Sequence, residues 1–517
     1  MLRLNRAESG GARSAWVAAW AVILALVLGA TALAAEPADL STASAPIASD
    51  PPVRTGVLPN GLRFVILQHA ARRHEVSLRL RIGAGSLQEP ADQDGVAHML
   101  EHMAFRGSTH VAESEIWRTL ARLGVAFGAD SNAFTTPSQT YFQFDLPDAD
   151  AAAVTTGLTL MREIAGALTL SPSAVNDERN VVLAEARLTD SPSAQADRAQ
   201  MAFWFQNQPA AQHDAMGDVE VLKQLRPDQL RAFYDAYYRP ERATVLVVGD
   251  VDPDATEAQI RARFSDWTSR GPAGADPVIV PPAADAPHSQ LLVQSGAPSS
   301  IRLAWIRPAQ AGADSRATDR DRLLNELAVR VLNRRLTGQD GRYLLANADW
   351  RSHPGLGEAT LLTIDCPPGQ WRDALQSVEQ ARRQVLRYGV TQGEVEREAG
   401  EALHAWQIAA AAADSAPASV IANALVTRID NNLALTDPAQ DLAAAAAVYD
   451  RVDAAQVDAA MQGLFRGAGP LVFLSSPQPV AGGPEALALA VDTIEAAPIS
   501  PRIHIPRAAG AAWPYTY

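Results

Sequence analysis

The sequence has very little cysteine and no run of basic residues. Cys366 is its single cysteine among 517 residues, so the chain cannot form an intrachain disulfide. Because Cys366 ends the strand-like segment LLTIDC, we expect it to be a small buried hydrophobic residue. The formal net charge is −14, and without a basic cluster to offset it, this charge argues against nucleic-acid binding.

The N-terminal segment predicts export. Three arginines precede an apolar run from Trp16 to Leu33, and Ala32-Leu33-Ala34 offers a cleavage site of small residues. We therefore expect a signal peptide over residues 1–34 and a flexible leader over 35–52. The apolar run is long for a signal peptide, so an uncleaved membrane anchor is the alternative. No cysteine follows the run, which argues against a lipoprotein anchor.

The most informative stretch is DGVAHMLEHMAFRGS, which begins at Asp94 and contains the pattern H-x-x-E-H. On an α-helix His98, Glu101 and His102 share one face. Two imidazoles one turn apart can both bind one zinc ion, and the glutamate is then placed to take a proton from a water on the metal. The interleaved residues are apolar, so we expect a buried helix with one polar edge.

Zinc bound by two histidines needs a third protein ligand, with one position left for water. The best candidates lie in the segment ERNVVLAE, which begins with Glu178 and ends with Glu185. These glutamates are two helical turns apart and share a face of a helix. Their positions on the helix do not choose between them.

The order of elements predicts an α+β fold of two similar units. The first, 53–270, starts with a hairpin at Asn60-Gly61 and carries the H-x-x-E-H helix. A linker rich in proline and alanine, 271–287, joins it to the second unit, 288–477, which repeats the order of elements without the motif. The remaining residues, 478–517, have little periodicity and are predicted to be a tail.

Several motifs together resemble the pitrilysin/insulinase (M16) family of zinc peptidases, and they are most similar to its periplasmic bacterial branch. They are H-x-x-E-H, GADSNAFT, ERNVVLAE and YYRPERATVLVVGDVD. The resemblance covers residues 53–255 through specific motifs and 290–477 more loosely. It implies two homologous α/β-sandwich domains, each an antiparallel-rich sheet with helices packed on it, which form half of a clamshell. It also implies a periplasmic location.

The resemblance assigns a role to each residue of these motifs. It implies that His98, His102 and Glu185 bind Zn²⁺, that Glu101 is the general base, and that Glu178 orients a histidine or tunes the site. Glu185 lies farther from the histidines than the third ligand does in many family members, and Glu178 would fit a shorter spacing. The local helical match favours Glu185.

A substrate-binding element is implied in the same way. Asn132 and Ala133 match the family's N-A pair beside an edge strand, to which an extended peptide would add as a further strand. Asn132 could instead be a simple turn residue. The other histidines of the chain show no ligand spacing, and we expect them at the surface.

The family's second half is the part that we do not find. Family members place an arginine and a tyrosine from a C-terminal region over the substrate, but residues 285–517 contain no convincing R-x(6)-Y segment. Arg335 and Tyr343 are eight residues apart, and the NRRL segment resembles the start of the family's non-catalytic domain. The final WPYTY resembles the linker between the halves of longer members. We therefore expect a second half-length subunit that carries the Arg/Tyr pair, in a heterodimer, or else a homodimer.

The sequence thus predicts a zinc metalloendopeptidase that hydrolyses peptides or unfolded protein segments. One alternative is a structural or binding subunit of the same fold, although such subunits characteristically lose the metal residues that this chain retains. Another alternative is a maturation peptidase with one dedicated substrate. Contact with a membrane is expected only if the N-terminal segment is uncleaved.

Overall fold

The computed structural model describes residues 53–501 except 127, 207, 209–211, 283–286, 310–314, 338–340 and 354. The predicted signal peptide, the flexible leader and the WPYTY segment lie outside this part of the chain. Among the helices described, none combines the length and the apolar character needed to cross a membrane. Two β-sheets with helices packed on them make up the predicted α+β fold.

The first unit is built on a six-stranded sheet. Its strands are β1 (Val53–Val57), β2 (Arg63–Gln68), β3 (Val76–Ile82), β4 (Ser131–Thr135), β5 (Thr140–Leu146) and β6 (Ala243–Gly249). They follow the order β1-β2-β6-β3-β5-β4, so β4 lies at one edge. Strands β2 and β6 are parallel, and all other neighbours are antiparallel. The predicted turn at Asn60-Gly61 joins β1 to β2, and Gly61 has the positive φ, 94°, that glycine adopts readily.

Helices cover the inner face of this sheet. The helices of this unit are α1 (Val96–Met103), α2 (Glu113–Arg122), α3 (Ala151–Gly166), α4 (Pro172–Thr189), α5 (Pro192–Trp204), α6 (Val219–Gln224), α7 (Pro227–Tyr237) and α8 (Pro253–Phe264), and all except α5 contribute residues to the core on that face. Helix α1 is packed into the main core through Val96, Met99 and Leu100, each at most 1% exposed. The start of α4 is fixed by Ser171, whose hydroxyl accepts a hydrogen bond from the backbone N–H of Ala174.

The second unit repeats this plan. Its strands are β7 (Ser289–Val293), β8 (Ser300–Arg307), β9 (Leu345–His353), β10 (Gly357–Asp365) and β11 (Ala468–Ser476). They follow the order β7-β11-β8-β10-β9, in which only β7 and β11 are parallel. The first sheet has the same strand directions in β2-β6-β3-β5-β4, so the predicted internal repeat is confirmed. Cys366 follows β10 and is buried, as expected.

The helices of the second unit extend further than the sequence predicted. They are α9 (Arg316–Leu336), α10 (Trp371–Tyr388), α11 (Gln392–Ala412), α12 (Ala418–Asp430), α13 (Pro438–Tyr449), α14 (Ala454–Leu464) and α15 (Gly483–Ala496). The prediction that an irregular tail begins at residue 478 was wrong, because α15 packs on this core. Its buried residues are Ala486, Leu487 and Ala490, which share one helical face.

Each unit contributes a helix to the outer face of the other unit's sheet. From the second unit, α12 places its apolar residues against β2 and β6; this cluster contains Ala418, Ala422, Leu425, Val426, Val65, Leu246 and Val248. From the first unit, the end of α5 covers β8 and β11; this cluster contains Phe203, Trp204, Phe205, Ala304, Ile306, Leu471 and Phe473. The two units therefore share cores.

Polar contacts fix α12 at both ends of this contact. Arg79 of β3 is fully buried beneath the helix, where it donates to Asp145 at 2.7 Å and to Asn423 at 3.0 Å. Such a buried guanidinium is tolerated only with partners of this kind. At the end of α12, Asp430 accepts hydrogen bonds from Arg81 at 2.7 Å and from Ser138 at 2.8 Å.

Asp430 also reaches the second sheet. One of its carboxylate oxygens lies 3.3 Å from Nε2 of His353, whose side chain is 18% exposed. The expectation that His353 is a surface residue was therefore wrong. Asp430 links a strand of the first sheet, the turn between β4 and β5, and an edge strand of the second sheet.

Candidate metal centre and active site

The start of α1 is fixed by backbone contacts that the sequence did not suggest. Glu89 is 4% exposed, and its carboxylate accepts hydrogen bonds from the backbone N–H groups of Gly95, at 2.9 Å, and Ala97, at 2.8 Å. A carboxylate here satisfies helix N–H groups that would otherwise be unpaired. Gly95 has a φ of 95°, and a Cβ added to it would lie 2.9 Å from Cα of Gly217. Two glycines thus allow α1 to pack tightly against the loop before α6.

Three of the predicted site residues come together at the polar edge of α1. The rings of His98 and His102 lie edge to face with their centroids 4.8 Å apart. Glu185 of α4 joins them, so that each residue offers one ligand atom and these atoms all lie within 4.8 Å of one another. The His102 Nε2 atom is 3.3 Å from a carboxylate oxygen of Glu185.

Glu178 lies on the other side of the same imidazole. Its carboxylate is 2.8 Å from Nδ1 of His102, and its second oxygen is 3.3 Å from Nε of Arg106. Glu178 and Glu185 therefore contact different ring nitrogens of His102. This geometry suits the two roles that the family resemblance implied, since Glu185 lies beside the nitrogen that would bind a metal and Glu178 lies where it could orient the ring.

The electrostatics of this cluster favour a cation. Burial opposes protonation of His102, but its contacts with Glu178 and Glu185 outweigh that penalty and raise its pKa to about 9. The pKa of His98 is lowered, chiefly by burial and then by the nearby His102. The hydrogen bond to His102 lowers the pKa of the Glu185 carboxyl. Two carboxylates beside one imidazole thus favour positive charge at this position.

The donor set fits a zinc ion. Two imidazoles and one carboxylate, with space for a water, are typical ligands of catalytic zinc. Nδ1 of His98 is buried and makes no hydrogen bond of standard geometry, although the backbone of Met216 lies near enough to favour the protonated ring. Glu185 is 42% exposed in its side chain, whereas Glu178 is 9% exposed. The cluster is therefore open to solvent on the Glu185 side.

Glu101 lies beside the cluster and is 8% exposed. Burial raises the pKa of its carboxyl to about 7, against the opposing effect of a hydrogen bond from Thr135. The Thr135 hydroxyl oxygen is 2.6 Å from the Glu101 carboxylate. A carboxyl with a pKa near neutrality can both accept and return a proton. Sequence reasoning did not single out Thr135, although it ends the quoted segment GADSNAFT.

Asn132 and Ala133 lie within the edge strand β4. The alternative that Asn132 is a simple turn residue was wrong, since the residue pairs with Gln143 of β5. Its side-chain oxygen accepts a hydrogen bond from the backbone N–H of Ala133 at 2.9 Å. Within the described residues no strand pairs with the other edge of β4.

A second group of potential ligands lies behind α1. Ligand atoms of Glu89, Asp94 and His213 also fall within 4.8 Å of one another. Burial, and then the neighbouring Asp218, raise the pKa of the Asp94 carboxyl to about 7. Both oxygens of Glu89 already bind the backbone at the start of α1, so this group supports the helix. His213 is 7% exposed in its side chain, which contradicts its expected place at the surface.

Arg335 and Tyr343 take part in the core of the second unit. Arg335 is 7% exposed and donates to the carboxylate of Glu394 at 2.8 and 2.9 Å. The Tyr343 hydroxyl donates to the backbone carbonyl of Leu336. These contacts agree with the view that the two residues are not the family's substrate-binding pair.

Comparison with known proteins identifies two consecutive family domains. Residues 64–216 match the insulinase domain of peptidase family M16. Residues 224–399 match the domain described as the M16 inactive domain. The first match contains the candidate metal centre, and the second begins before the linker and extends into α11.

Curated relatives match only part of the chain. The probable zinc protease PqqL of Haemophilus influenzae is 34% identical over 203 residues, which are 39% of this chain and 22% of that protein. The protein of the same name from Escherichia coli is 32% identical over 222 residues, which are 43% of this chain and 24% of that protein. The matched segment thus spans less than a quarter of either relative.

Solved structures extend the likeness of fold over most of the chain. The first half of the periplasmic protease PqqL from Escherichia coli superposes with a TM-score of 0.77 at 22% identity, over 89% of this chain and all of that one. In the structure of the whole of that protease, the TM-score is 0.78 and the match covers 52% of its length. From its two matched domains and their shared fold, the chain belongs to the insulinase family of peptidases, M16.

Proposed function

We propose that this chain is a zinc-dependent endopeptidase that hydrolyses peptides or unfolded protein segments. The observation that carries the proposal is the cluster of His98, His102 and Glu185 next to the buried Glu101 and an open sheet edge. Its support also comes from relatives that are named zinc proteases. The rival role of a non-proteolytic subunit accords poorly with a chain that keeps all these groups together.

The metal would be held by His98, His102 and Glu185, with Glu178 fixing the orientation of the His102 ring. When bound, zinc would supply the Lewis acidity that polarises the scissile carbonyl and acidifies a water. Glu101 would take a proton from the attacking water and deliver it to the departing amine nitrogen. The reaction then needs no covalent bond between enzyme and substrate.

Peptide binding is proposed at the free edge of β4. The edge at Asn132 and Ala133 would pair with an extended peptide as a further strand, through those backbone N–H and C=O groups that point away from β5. Main-chain hydrogen bonds of this kind place few demands on the peptide's side chains. We therefore infer that extended or unfolded segments are better substrates than folded proteins.

A partner is proposed to complete the enzyme. The chain matches the whole of the first half of the Escherichia coli protease and 52% of the complete protein. A second half-length subunit would then supply an Arg/Tyr pair over the substrate, in a heterodimer, or a second copy of this chain would close the chamber. Full activity in a monomer would contradict both arrangements.

The proposed location is the periplasm. The signal-like N-terminal residues favour it, and the structural neighbour from Escherichia coli is described as a periplasmic protease. An uncleaved N-terminal segment would instead tether the enzyme to the membrane. N-terminal sequencing of the protein recovered from the cell distinguishes the two forms.

The proposed function is tested by hydrolysis of a quenched fluorescent peptide, with zinc measured in the same sample. Glu101→Gln should keep the zinc and lose the activity, while Glu220→Gln, at an exposed position on α6, should keep both. Zinc binding without cleavage would indicate that the chain needs its partner subunit for activity. Cleavage that persists in Glu101→Gln, or a chain that binds no zinc, would overturn the proposal.

A further inference from the structure

Glu101 receives its side-chain hydrogen bond from the strand proposed to bind the peptide. The donor is Thr135, the last residue of β4, and its hydroxyl oxygen is 2.6 Å from Oε2 of Glu101. This distance is typical of a strong bond between a hydroxyl and an ionised carboxylate. Within the described part of the chain, no other side chain donates a hydrogen bond to Glu101. The backbone N–H of Thr135 also interacts with the same carboxylate.

The backbone after Thr135 is held firmly. Thr136 exchanges hydrogen bonds with Gln139 across the turn between β4 and β5, and its carbonyl accepts a hydrogen bond from the N–H of Ser86 at 3.1 Å. Ser138 in the same turn donates to Asp430, which α12 brings from the second unit. The hydroxyl that contacts Glu101 is therefore placed by contacts from both units.

We propose that Thr135 is a positioning residue that holds the Glu101 carboxylate in the orientation needed for proton transfer. Because Thr135 belongs to β4, the same contact sets the position of the base relative to a peptide paired with the outer edge of β4. A strand advances about 3.3 Å per residue, so Ala133 and Thr135 lie roughly 7 Å apart along the proposed peptide track. This inference rests on the proposed peptidase function.

The alternative is that Thr135 only stabilises the hairpin. Thr135→Val removes the hydroxyl with little change of shape, whereas Thr135→Ser keeps the hydroxyl and removes only the methyl group. Thr155→Val is the matched control, because its hydroxyl bonds Gln259 between α3 and α8, away from Glu101. All variants are made in the full chain, and their zinc content and thermal unfolding are measured first.

The expected kinetic result for Thr135→Val is a fall in kcat of roughly tenfold or more, with KM changed less than about twofold. Thr135→Ser should keep most of the wild-type kcat, and Thr155→Val should have the same kcat and KM as the wild type. A stabilising role alone would lower the thermal midpoint without such a fall in kcat. An unchanged kcat in Thr135→Val, or no recovery in Thr135→Ser, would overturn the inference.

A structural readout separates this inference from the proposed function. Crystal structures of the zinc-loaded wild type and of Thr135→Val should show the Glu101 carboxylate turned away from its original position in the variant. If it keeps its position without the hydroxyl, the inference fails, whatever the activity. If the zinc-loaded wild type cleaves no peptide, that result bears on the proposed function and its partner, while the two structures still decide whether Thr135 positions Glu101.

Discussion

At the scale of single residues, the contacts of His102 give the two carboxylates of the candidate centre different roles. Its two ring nitrogens face two carboxylates on the same helix, Glu178 at Nδ1 and Glu185 at Nε2. The ligand atoms of His98, His102 and Glu185 lie together, and only one nitrogen of the His102 ring can point towards the other two residues. The carboxylates are thus not equivalent, although they lie on one face of α4.

Because the two carboxylates contact different nitrogens of His102, replacing each of them should reduce zinc affinity by a different amount. Glu185→Gln should abolish tight binding, because it removes a ligand, whereas Glu178→Gln should weaken binding by about 10–100-fold. Competition with a chelator measures both affinities, and Glu220→Gln serves as the exposed control. A larger loss in Glu178→Gln than in Glu185→Gln would reverse the assignment.

The glycine contact at the start of α1 supports a second prediction. Gly217 has a φ of 83° and its Cα lies against Gly95. Gly217→Ala should destabilise the fold by at least about 2 kcal/mol, because it adds backbone strain and overlap, and it should reduce zinc occupancy by displacing α1. Gly369→Ala is the control, since Gly369 has a φ of 82° with nothing within 4 Å of an added Cβ. If both variants lose stability and zinc equally, backbone strain alone would explain the loss, and the contact between Gly217 and Gly95 would not matter.

The residue pattern predicted part of this site. The H-x-x-E-H spacing was enough to place His98, Glu101 and His102 on one helical face, because helical periodicity is local. It could not assign Glu178 and Glu185, because that depends on where α4 passes the His102 ring. Thr135 and Glu89 were missed, since each acts through a contact with a different element.

At the scale of elements, α9 and α11 are joined by Arg335 and Glu394. Burial alone would raise the pKa of the Glu394 carboxyl, but hydrogen bonds from Arg335 and from Thr391 lower it to about 2. A lowered folded pKa gives stability that is present above the unfolded value, about 4.3. That stability is lost as the pH falls towards 2.

Arg335→Met should therefore flatten the pH dependence of unfolding between about pH 4.3 and 2. Urea unfolding at several pH values in this range measures the slope. Arg397→Met is the control, because Arg397 is 49% exposed and its one ion pair within the described residues is a 3.4 Å contact with Glu398. Identical slopes in the wild type and Arg335→Met would show that this pair does not contribute to acid stability.

Elements were predicted best where the pattern was long. The seven residues Val76–Ile82 alternate apolar residues with Ser77, Arg79 and Arg81, a pattern that predicts a strand over the residues that form β3. The short strand β4 was taken partly for a turn, because Asn132 also suits turns and five residues carry little periodicity. Helix α15 was missed because its alanine-rich sequence gives a weak amphipathic pattern.

At the scale of the whole molecule, the exchanged helices α5 and α12 make the two units depend on each other. Ala422 of α12 is fully buried against the first sheet, while Val420 on the same helix is 57% exposed. Ala422→Asp should separate α12 from the first sheet, because a buried unpaired carboxylate costs several kcal/mol. Val420→Asp should change stability by no more than about 0.5 kcal/mol.

Calorimetry and circular dichroism test this dependence. The wild type should unfold in one cooperative transition, and Ala422→Asp should show an earlier transition of the first unit. Two separate transitions in the wild type would contradict the coupling. The sequence could not predict it, since the apolar face of α12 indicates burial but does not name the surface that covers it.

The reciprocal placement of helices also sets an order of events during synthesis. Strand β6 completes the first sheet at Gly249, but its outer face receives α12 only from Ala418 onward. A chain that emerges N-terminus first therefore has Val65, Leu246 and Val248 uncovered until most of the second unit has left the ribosome. Nascent chains cut short before Ala418 should for this reason be held by chaperones or aggregate, even though they contain every residue of the candidate metal centre.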